Sequence, residues 1–267
     1  VPKLVLLAYK DTSAGAKILA NTLSLDRVLV QGPLPASRDS TYVLNWGRGD
    51  QPAFRREIMG WINRPDAVMN AIDKLASFKL MRDHGVPCVE FTTSKEAALR
   101  WSKAGQTVVC RQELQGFEGR GIFIARTPAE IVDAPLYTKY KQKFSEFRVH
   151  VMRDQAFYSN LKSKAREPKP DATPDPLVRS GPNGWIFVHM DKLPPKPVVD
   201  ASIAAVRALG LDFGGVDIGE SEDGSVAVYE VNTAPELGPN TVRYYADAFK
   251  RHYGNYKNNE NIPLRDF

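Results

Sequence analysis

Three residues late in the sequence, Asp217, Glu230 and Asn232, have the types and spacing of a hard-cation site. They lie in Gly214-Gly-Val-Asp-Ile-Gly219 and Val226-Ala-Val-Tyr-Glu-Val-Asn232, two apolar runs separated by a short polar stretch containing Asp223-Gly224. Asp-Gly between such runs favours a tight type I′ hairpin turn. With these two residues at the turn centre, Asp217 and Glu230 face each other across the ladder, and Asn232 shares their face. Opposed carboxylates repel unless something neutralises them. Two carboxylates and an amide oxygen suit Mg²⁺, with phosphate oxygens completing the octahedron. The alternative is a polar stripe turned to solvent on an antiparallel sheet.

Magnesium held by few protein ligands implies a nucleotide. The sequence has no GxxxxGK[ST] and no GxGxxG following a strand, which removes the P-loop and dinucleotide-fold readings. It does have Gly116-Phe-Glu-Gly-Arg-Gly121 between two strand-like runs. Glycines there allow backbone N–H groups to approach an anion, although such a stretch is also what a plain turn requires. Cationic candidates are Lys74, Arg111, Lys139, Arg148, Lys162, Lys164 and Arg179. Arg148 stands out among them. In Glu146-Phe-Arg-Val-His-Val-Met152, the apolar Phe147, Val149 and Val151 share one face and Glu146, Arg148 and His150 the other, and an inward arginine needs an anionic partner.

The elements that must hold these groups read as three units. Residues 1–69 read β-α-β-β: a strand Lys3–Ala8, a helix capped by Ser13 and running to Leu23, then strands at Arg27–Gln31 and Thr41–Asn45. Residues 70–135 begin with a helix opened by Asp73-Lys74 and stopped by His84-Gly85 and Pro87. Thr93-x-x-Glu96 reads as a capping box for the next helix. A strand Thr107–Arg111, the glycine stretch, a strand Gly121–Ala125 and a capped turn at Thr127-Pro128-Ala-Glu130 follow. Residues 136–253 hold the alternating strand, a basic, proline-rich loop over 162–176, a strand 184–190, a helix with Val199, Ile203, Val206 and Leu209 on one stripe, the carboxylate hairpin and a final helix. Residues 254–267 form a polar tail. Asn45-Trp46-Gly47, at a strand edge of the first unit, reads either as a substrate contact or as a structural tryptophan.

Bulk composition agrees with an ordinary soluble protein. Of 267 residues, 43% are hydrophobic and 25% charged, enough apolar material for a core without disulfide staples. Cys88 and Cys110 have no metal-type spacing, and a cytoplasmic, reduced setting is expected. No apolar run reaches the roughly 20 residues of a membrane span. The net charge of +5 suits an anionic ligand.

In order, these pieces resemble the ATP-grasp superfamily, and within it the RimK-like and D-alanine-ligase-like carboxylate–amine ligases. The resemblance covers about Asn70 to Tyr253. Asp73-Lys74 and His84-Gly-Val-Pro87 resemble the family's first nucleotide lysine and its "hGvP" turn. Arg111 with Gly116, Gly119 and Gly121 resembles its second basic residue and glycine loop. Tyr137-Thr-Lys139-Tyr140 stands where the hinge offers backbone groups to adenine. Glu146 and Arg148 lie in the "EyRvhV" strand, Arg179-Ser-Gly-Pro-Asn-Gly-Trp185 matches "R-x-x-x-x-G-W", and Asp217, Glu230 and Asn232 match the magnesium ligands of "D … E-x-N". Arginine stands at 111 where lysine is usual, Phe117 and Glu118 make the loop bulky, and the hinge lacks its common acidic residue.

The resemblance implies an α/β (α+β) fold in which two α+β subdomains grip ATP behind a small α/β N-terminal domain. It implies ATP and Mg²⁺ as cofactors, with two ions and with Mn²⁺ able to substitute. Lys74, Arg111, the loop glycines, Lys139, Tyr140, Glu146 and Lys162 would bind the nucleotide. Arg148 and Arg179 would stabilise the transferring phosphoryl group. The partners would be a carboxylate and an amine carried by a small molecule, peptide or protein, with no membrane role. Two alternatives stand beside this reading: a kinase on the same fold that hands phosphate to a hydroxyl, and a nucleic-acid or protein binding module using the basic 162–169 loop. The latter lacks the interleaved aromatics of single-strand binders.

Overall fold

The computed structural model describes residues 3–29, 41–50, 58–115, 120–166 and 177–254. The first strand, β1 (Lys3–Ala8), leads into helix α1 (Ala14–Leu23), whose first turn is capped by Ser13 Oγ accepting from the Ala16 N–H at 3.3 Å. Strands β2 (Asp26–Val28), β3 (Thr41–Trp46) and β4 (Ile58–Ile62) complete a parallel sheet in the order β2-β1-β3-β4. Both faces of β3 are buried, as expected of a central parallel strand. A strand buried on both faces carries no alternation of polar and apolar residues.

Helix α2 (Pro65–Ile72) follows and is not anticipated by the sequence reading. Asp73 both ends α2 and caps helix α3 (Lys74–Asp83), accepting from the Ala76 N–H at 2.9 Å. Next come β5 (Phe91–Thr92), α4 (Lys95–Lys103), β6 (Val108–Arg111), β7 (Ile122–Ala125), a single 3₁₀ turn at Pro128–Glu130 and β8 (Leu136–Lys139). The cap of α4 is Ser94 rather than Thr93: its Oγ accepts from the Ala97 N–H and donates to Glu96. The turn at Thr127 does carry a capping box with Glu130, but it stops after three residues. The four strands form an antiparallel sheet, β5-β8-β6-β7, with α4 packed on one face over Val108, Cys110 and Tyr137.

The third sheet is the largest. Strands β9 (Ser145–Met152), β10 (Gln155–Lys164) and β11 (Trp185–His189) precede helix α5 (Lys196–Ala208), then β12 (Phe213–Glu220), β13 (Val226–Asn232) and helix α6 (Pro239–Tyr253). The order is β11-β10-β9-β12-β13, all antiparallel. Lys162 and Lys164, expected in a loop, are strand residues of β10. Phe147, Val149, Val151, Val216 and Ile218 bury one face of this sheet against α5 and α2. The buried side of α5 is Val198, Ala201, Ser202, Ala205 and Val206, so Val199 and Ile203 lie at its margin.

The N-terminal sheet and the large sheet share a core. Trp46 is 1% exposed and stacks on Phe213 at 5.4 Å, with Tyr245 of α6 against its edge. Asn63, at φ +62°, seals the junction: its N–H donates to Asp212 Oδ2 at 2.7 Å and its Oδ1 accepts from the Asp212 and Phe213 N–H groups. Trp46 is thus structural, and Asn45 is spent on the turn that follows, bonding Arg48 through both its amide atoms.

Candidate active site

The second face of the large sheet carries the polar residues. Register places His189, Asn160, Arg148, Asp217 and Glu230 in one row across its five strands, about 4.8 Å apart per strand. Asp217 and Glu230 do face each other, but by a different route from the one the sequence suggests. The turn is a three-residue loop, Glu222–Gly224, in which Gly224 alone takes a positive φ of +77°. A type I′ turn would need Asp223 there as well. The register then shifts by one residue between Asp217 and Ile218, which leaves Tyr229 as the bulged residue. The longer loop and the bulge offset each other, and the two acids meet.

Each acid already has a cation. Arg148 donates from Nε to Asp217 Oδ1 at 2.6 Å and from Nη2 to Oδ2 at 2.8 Å, a two-pronged contact. Lys74, at the first turn of α3, brings Nζ to 2.8 Å from Glu230 Oε2. Asn232 Nδ2 donates to Glu230 Oε1 at 3.1 Å. Burial works to raise Glu230, but Lys74, Arg148 and the Asn232 amide hold its carboxyl well below the usual range. Burial pushes the Asp217 carboxyl up, against the pull of Arg148. Burial opposes the Arg148 charge, which Asp217 more than restores.

A second cluster lies one row toward the β8–β9 connection. Glu146 sits between Lys143 Nζ at 2.7 Å and Lys162 Nζ at 3.1 Å. Burial lowers the Lys143 ammonium, with Glu146 pulling the other way. Lys143 also lies 4.8 Å over the ring of Tyr229. The space these side chains occupy depends on small residues: a Cβ at Gly219 would stand 2.3 Å from the Tyr229 hydroxyl, and one at Gly215 would stand 3.2 Å from Pro235 Cβ. Beyond Gly215, His150 is fully enclosed, with Nδ1 3.0 Å from the Tyr245 hydroxyl. Burial, with Arg148 nearby, lowers it to about 3, so the ring is neutral.

Arg111 differs from the other cations. It ends β6 on the sheet face away from α4, with its guanidinium 5.9 Å from the Phe78 ring. Its Nε is buried, and among the described residues it has no hydrogen-bond partner and no ion pair. Burial lowers its pKa, and the charge of Glu230 counteracts this. Arg179 donates from Nη2 to the Lys143 carbonyl at 2.9 Å and lies 4.7 Å over Trp185, with its Nε buried and, among the described residues, unbonded. With Tyr140, Lys141, Gln142 and Lys143 it lines a cavity of about 970 Å³ at the connection between the two antiparallel sheets.

The fold therefore gathers Lys74, Arg148, Asp217, Glu230 and Asn232 in one cluster and Glu146, Lys162 and Arg179 in the next. Tyr140 lines the adjoining cavity, its N–H donating to Thr107 O at 2.8 Å. Lys139 is not gathered: it shares the α4 face of β8, pairs with Glu90 at 2.6 Å and lies over Trp101. Gly121 takes φ +68° beside Glu113. Gly116 and Gly119 lie outside the described residues, as do 167–176 of the basic loop and the tail beyond Gly254. Lys143 and Phe187 were not singled out in the sequence. Lys143 falls between strands, where no periodicity marks it, and Phe187 shows its role only in space, 4.2 Å beneath Arg148 and 4.9 Å beneath Lys162.

The donor set fits magnesium. Asp217, Glu230 and Asn232 offer only hard oxygens, and no hydrogen bond among the described residues uses Asn232 Oδ1. Among those residues there is no cluster of three or more His, Cys, Asp or Glu side chains, so substrate oxygens would have to complete the shell. The cleft also holds six cations, Lys74, Arg111, Lys143, Arg148, Lys162 and Arg179, against the carboxylates Glu146, Asp217 and Glu230. That excess asks for a polyanion.

No family model matches the chain. A tetrahydromethanopterin:alpha-L-glutamate ligase of Methanococcus maripaludis is 25% identical to it over 212 residues, 73% of this chain and 70% of that protein. Among solved structures, a D-alanine–D-alanine ligase from Bacillus anthracis aligns with a TM-score of 0.64 at 16% identity, covering 96% of this chain and 95% of that one. The ATP-grasp ligase PsnB complexed with minimal precursor aligns with a TM-score of 0.64 at 15% identity, covering 89% and 92%. The fold is that of the ATP-grasp ligases, in agreement with the sequence resemblance. No helix among the described residues is long and apolar enough to cross a membrane.

Proposed function

From the ATP-grasp fold, we propose that this chain is an ATP-dependent carboxylate–amine ligase working through an acyl phosphate. The observation that carries this reading is the cross-strand row Arg148–Asp217–Glu230, closed by Lys74 and Asn232 and faced by Arg111, whose buried Nε has no partner among the described residues. In the reaction, a carboxylate oxygen takes the γ-phosphoryl group of ATP and ADP leaves. An amine nitrogen then forms the C–N bond as the C–O bond to phosphate breaks, and the nitrogen gives up a proton.

Asp217, Glu230 and Asn232 would hold Mg²⁺, as two ions replaceable by Mn²⁺. When bound, the metal would supply charge neutralisation for the phosphates of the nucleotide. Lys74 and Arg111, from α3 and β6, would hold the α- and β-phosphates from the opposite wall. Arg148 is anchored by Asp217 and flattened on Phe187, so it would present its remaining N–H groups without reorganising as charge moves. Lys143, Lys162 and Arg179 would extend this field toward the cavity at the connection, where the backbone of Tyr140–Lys143 would meet the base. Glu146 keeps the two lysines apart and oriented. Residues 1–69, 70–135 and 136–253 would act as the N-terminal domain and the two gripping subdomains, in a cytoplasmic setting.

ADP release with MgATP, screened over carboxylates and amines, tests the reading. Glu230→Ala and Arg179→Ala are each expected to lower turnover by on the order of 10²–10³ while the circular-dichroism spectrum is unchanged. Near-normal turnover in both variants would sink the proposal. A product phosphorylated on a hydroxyl, formed with no free phosphate and no need for an amine, would assign the site to a kinase.

A further inference from the structure

The carboxylates assigned above to the metal already have protein partners. Asp217 Oδ1 accepts from Arg148 Nε at 2.6 Å, and Oδ2 accepts from Nη2 at 2.8 Å. Glu230 Oε1 accepts from Asn232 Nδ2 at 3.1 Å, and Oε2 meets Lys74 Nζ at 2.8 Å. Every carboxylate oxygen of the cluster therefore faces a donor of the protein. Charge points the same way. Lys74, Arg148 and Arg111 act on Asp217 and Glu230, three cations on two carboxylates. A divalent cation arriving alone meets a net positive cluster and is repelled. The phosphates of a nucleotide reverse that sign.

The two ion pairs differ in how readily they open. Arg148 grips Asp217 with both prongs of a planar fork and is backed by Phe187. Lys74 reaches Glu230 with a compact ammonium on a flexible four-carbon stem, which can turn to another anion. Its main chain is fixed. Asp73 caps the helix by accepting from the Ala76 N–H, and the Lys74 N–H donates to Leu114 O at 3.0 Å, just before the glycine stretch. The ammonium can thus leave Glu230 by side-chain rotation alone, while α3 stays in place.

On the ligase reading above, we propose that Lys74 interlocks metal and nucleotide: its ammonium holds Glu230 against a free divalent cation and gives it up only in exchange for a nucleotide phosphate. Lys74 is then a positioning residue for the metal, acting through Glu230, besides a ligand of the phosphates. Nucleotide and metal bind cooperatively in this scheme, each raising the affinity of the other by the same factor. Glu230 is paired throughout, first with Lys74 and then with the metal, so the buried carboxylate is never left without a cation.

The test is titration of the full chain with MnCl₂, alone and with ADP, followed by water-proton relaxation, which is enhanced when Mn²⁺ sits on a slowly tumbling protein. The wild-type chain is expected to show enhancement only with ADP. Lys74→Met is expected to bind Mn²⁺ without nucleotide at least about tenfold more tightly than wild type, and Lys74→Arg, which keeps the charge, to exclude it as wild type does. The double variant Lys74→Met/Glu230→Gln should lose the ion again. Wild-type binding of Mn²⁺ alone as tight as with ADP would overturn the proposal, and this comparison needs no variant to fold. So would Mn²⁺ binding by Lys74→Met that survives Glu230→Gln. A chain that shows the interlock yet releases no ADP with any carboxylate and amine counts against the ligase reading alone.

Discussion

Arg148 and Arg111 stand on two different sheets and face the same cleft under opposite conditions. On the large sheet, Arg148 is locked to Asp217 by two hydrogen bonds and backed by a ring. On the small sheet, Arg111 has a buried Nε and, among the described residues, no partner. One wall of the site is electrostatically complete before any ligand arrives. The other holds a buried guanidinium Nε that has no partner among the described residues and that an incoming anion would satisfy. Preorganisation and affinity are thus divided between the walls: the large sheet fixes geometry, and the small sheet gains most from closing on the ligand.

The largest expected contrast comes from removing each arginine. Arg148→Met strands the buried Asp217 and should destabilise the fold by about 3–5 kcal/mol, read by urea denaturation. It should also abolish turnover. Arg111→Met removes a buried charge that has no partner among the described residues, so turnover should fall by on the order of 10² while the urea midpoint stays level or rises. A comparable loss of stability in both variants would break the contrast. The smallest effect expected is in pH dependence. His150 falls to about 3 on burial, from an ordinary 6.5, so the folded state resists protonation that the unfolded chain accepts. Its contribution is complete above pH 6.5 and is lost as pH falls toward 3, at up to roughly 1.4 kcal/mol per unit. His150→Gln should flatten that part of the stability profile, and an unchanged slope would show that the carboxylates dominate it.

The same two walls show what a sequence can reveal. Strand β9 is legible because one face is core and the other is polar, which produces strict alternation. Strand β10 is not, because Ala156, Tyr158, Ser159 and Asn160 are all buried and leave no period of two. Its lysines merge with the basic, proline-rich run that follows. The facing of Asp217 and Glu230 can be read from spacing, although an Asp-Gly pair cannot tell a two-residue turn from a three-residue loop with a compensating bulge. The partner of Glu230 is harder. Lys74 comes from a helix far away in the chain, and only the family's order of motifs places it near the carboxylates. Arg111 can be picked out as a cation, but its lack of a partner is a property of the packed structure alone.

The shared core behind Trp46 has a consequence for how the polypeptide is made. Leu4, Leu6, Leu19, Leu23 and Leu44 bury one side of the N-terminal sheet in a cluster that also needs Phe213, Val242, Tyr245 and Phe249. A nascent chain emerging from the ribosome therefore carries β1, α1 and β3 with one face uncovered until residues 239–253 have been synthesised. The N-terminal sheet is translated well before α6, so its core is sealed late, and until then its apolar side is a natural client for a chaperone.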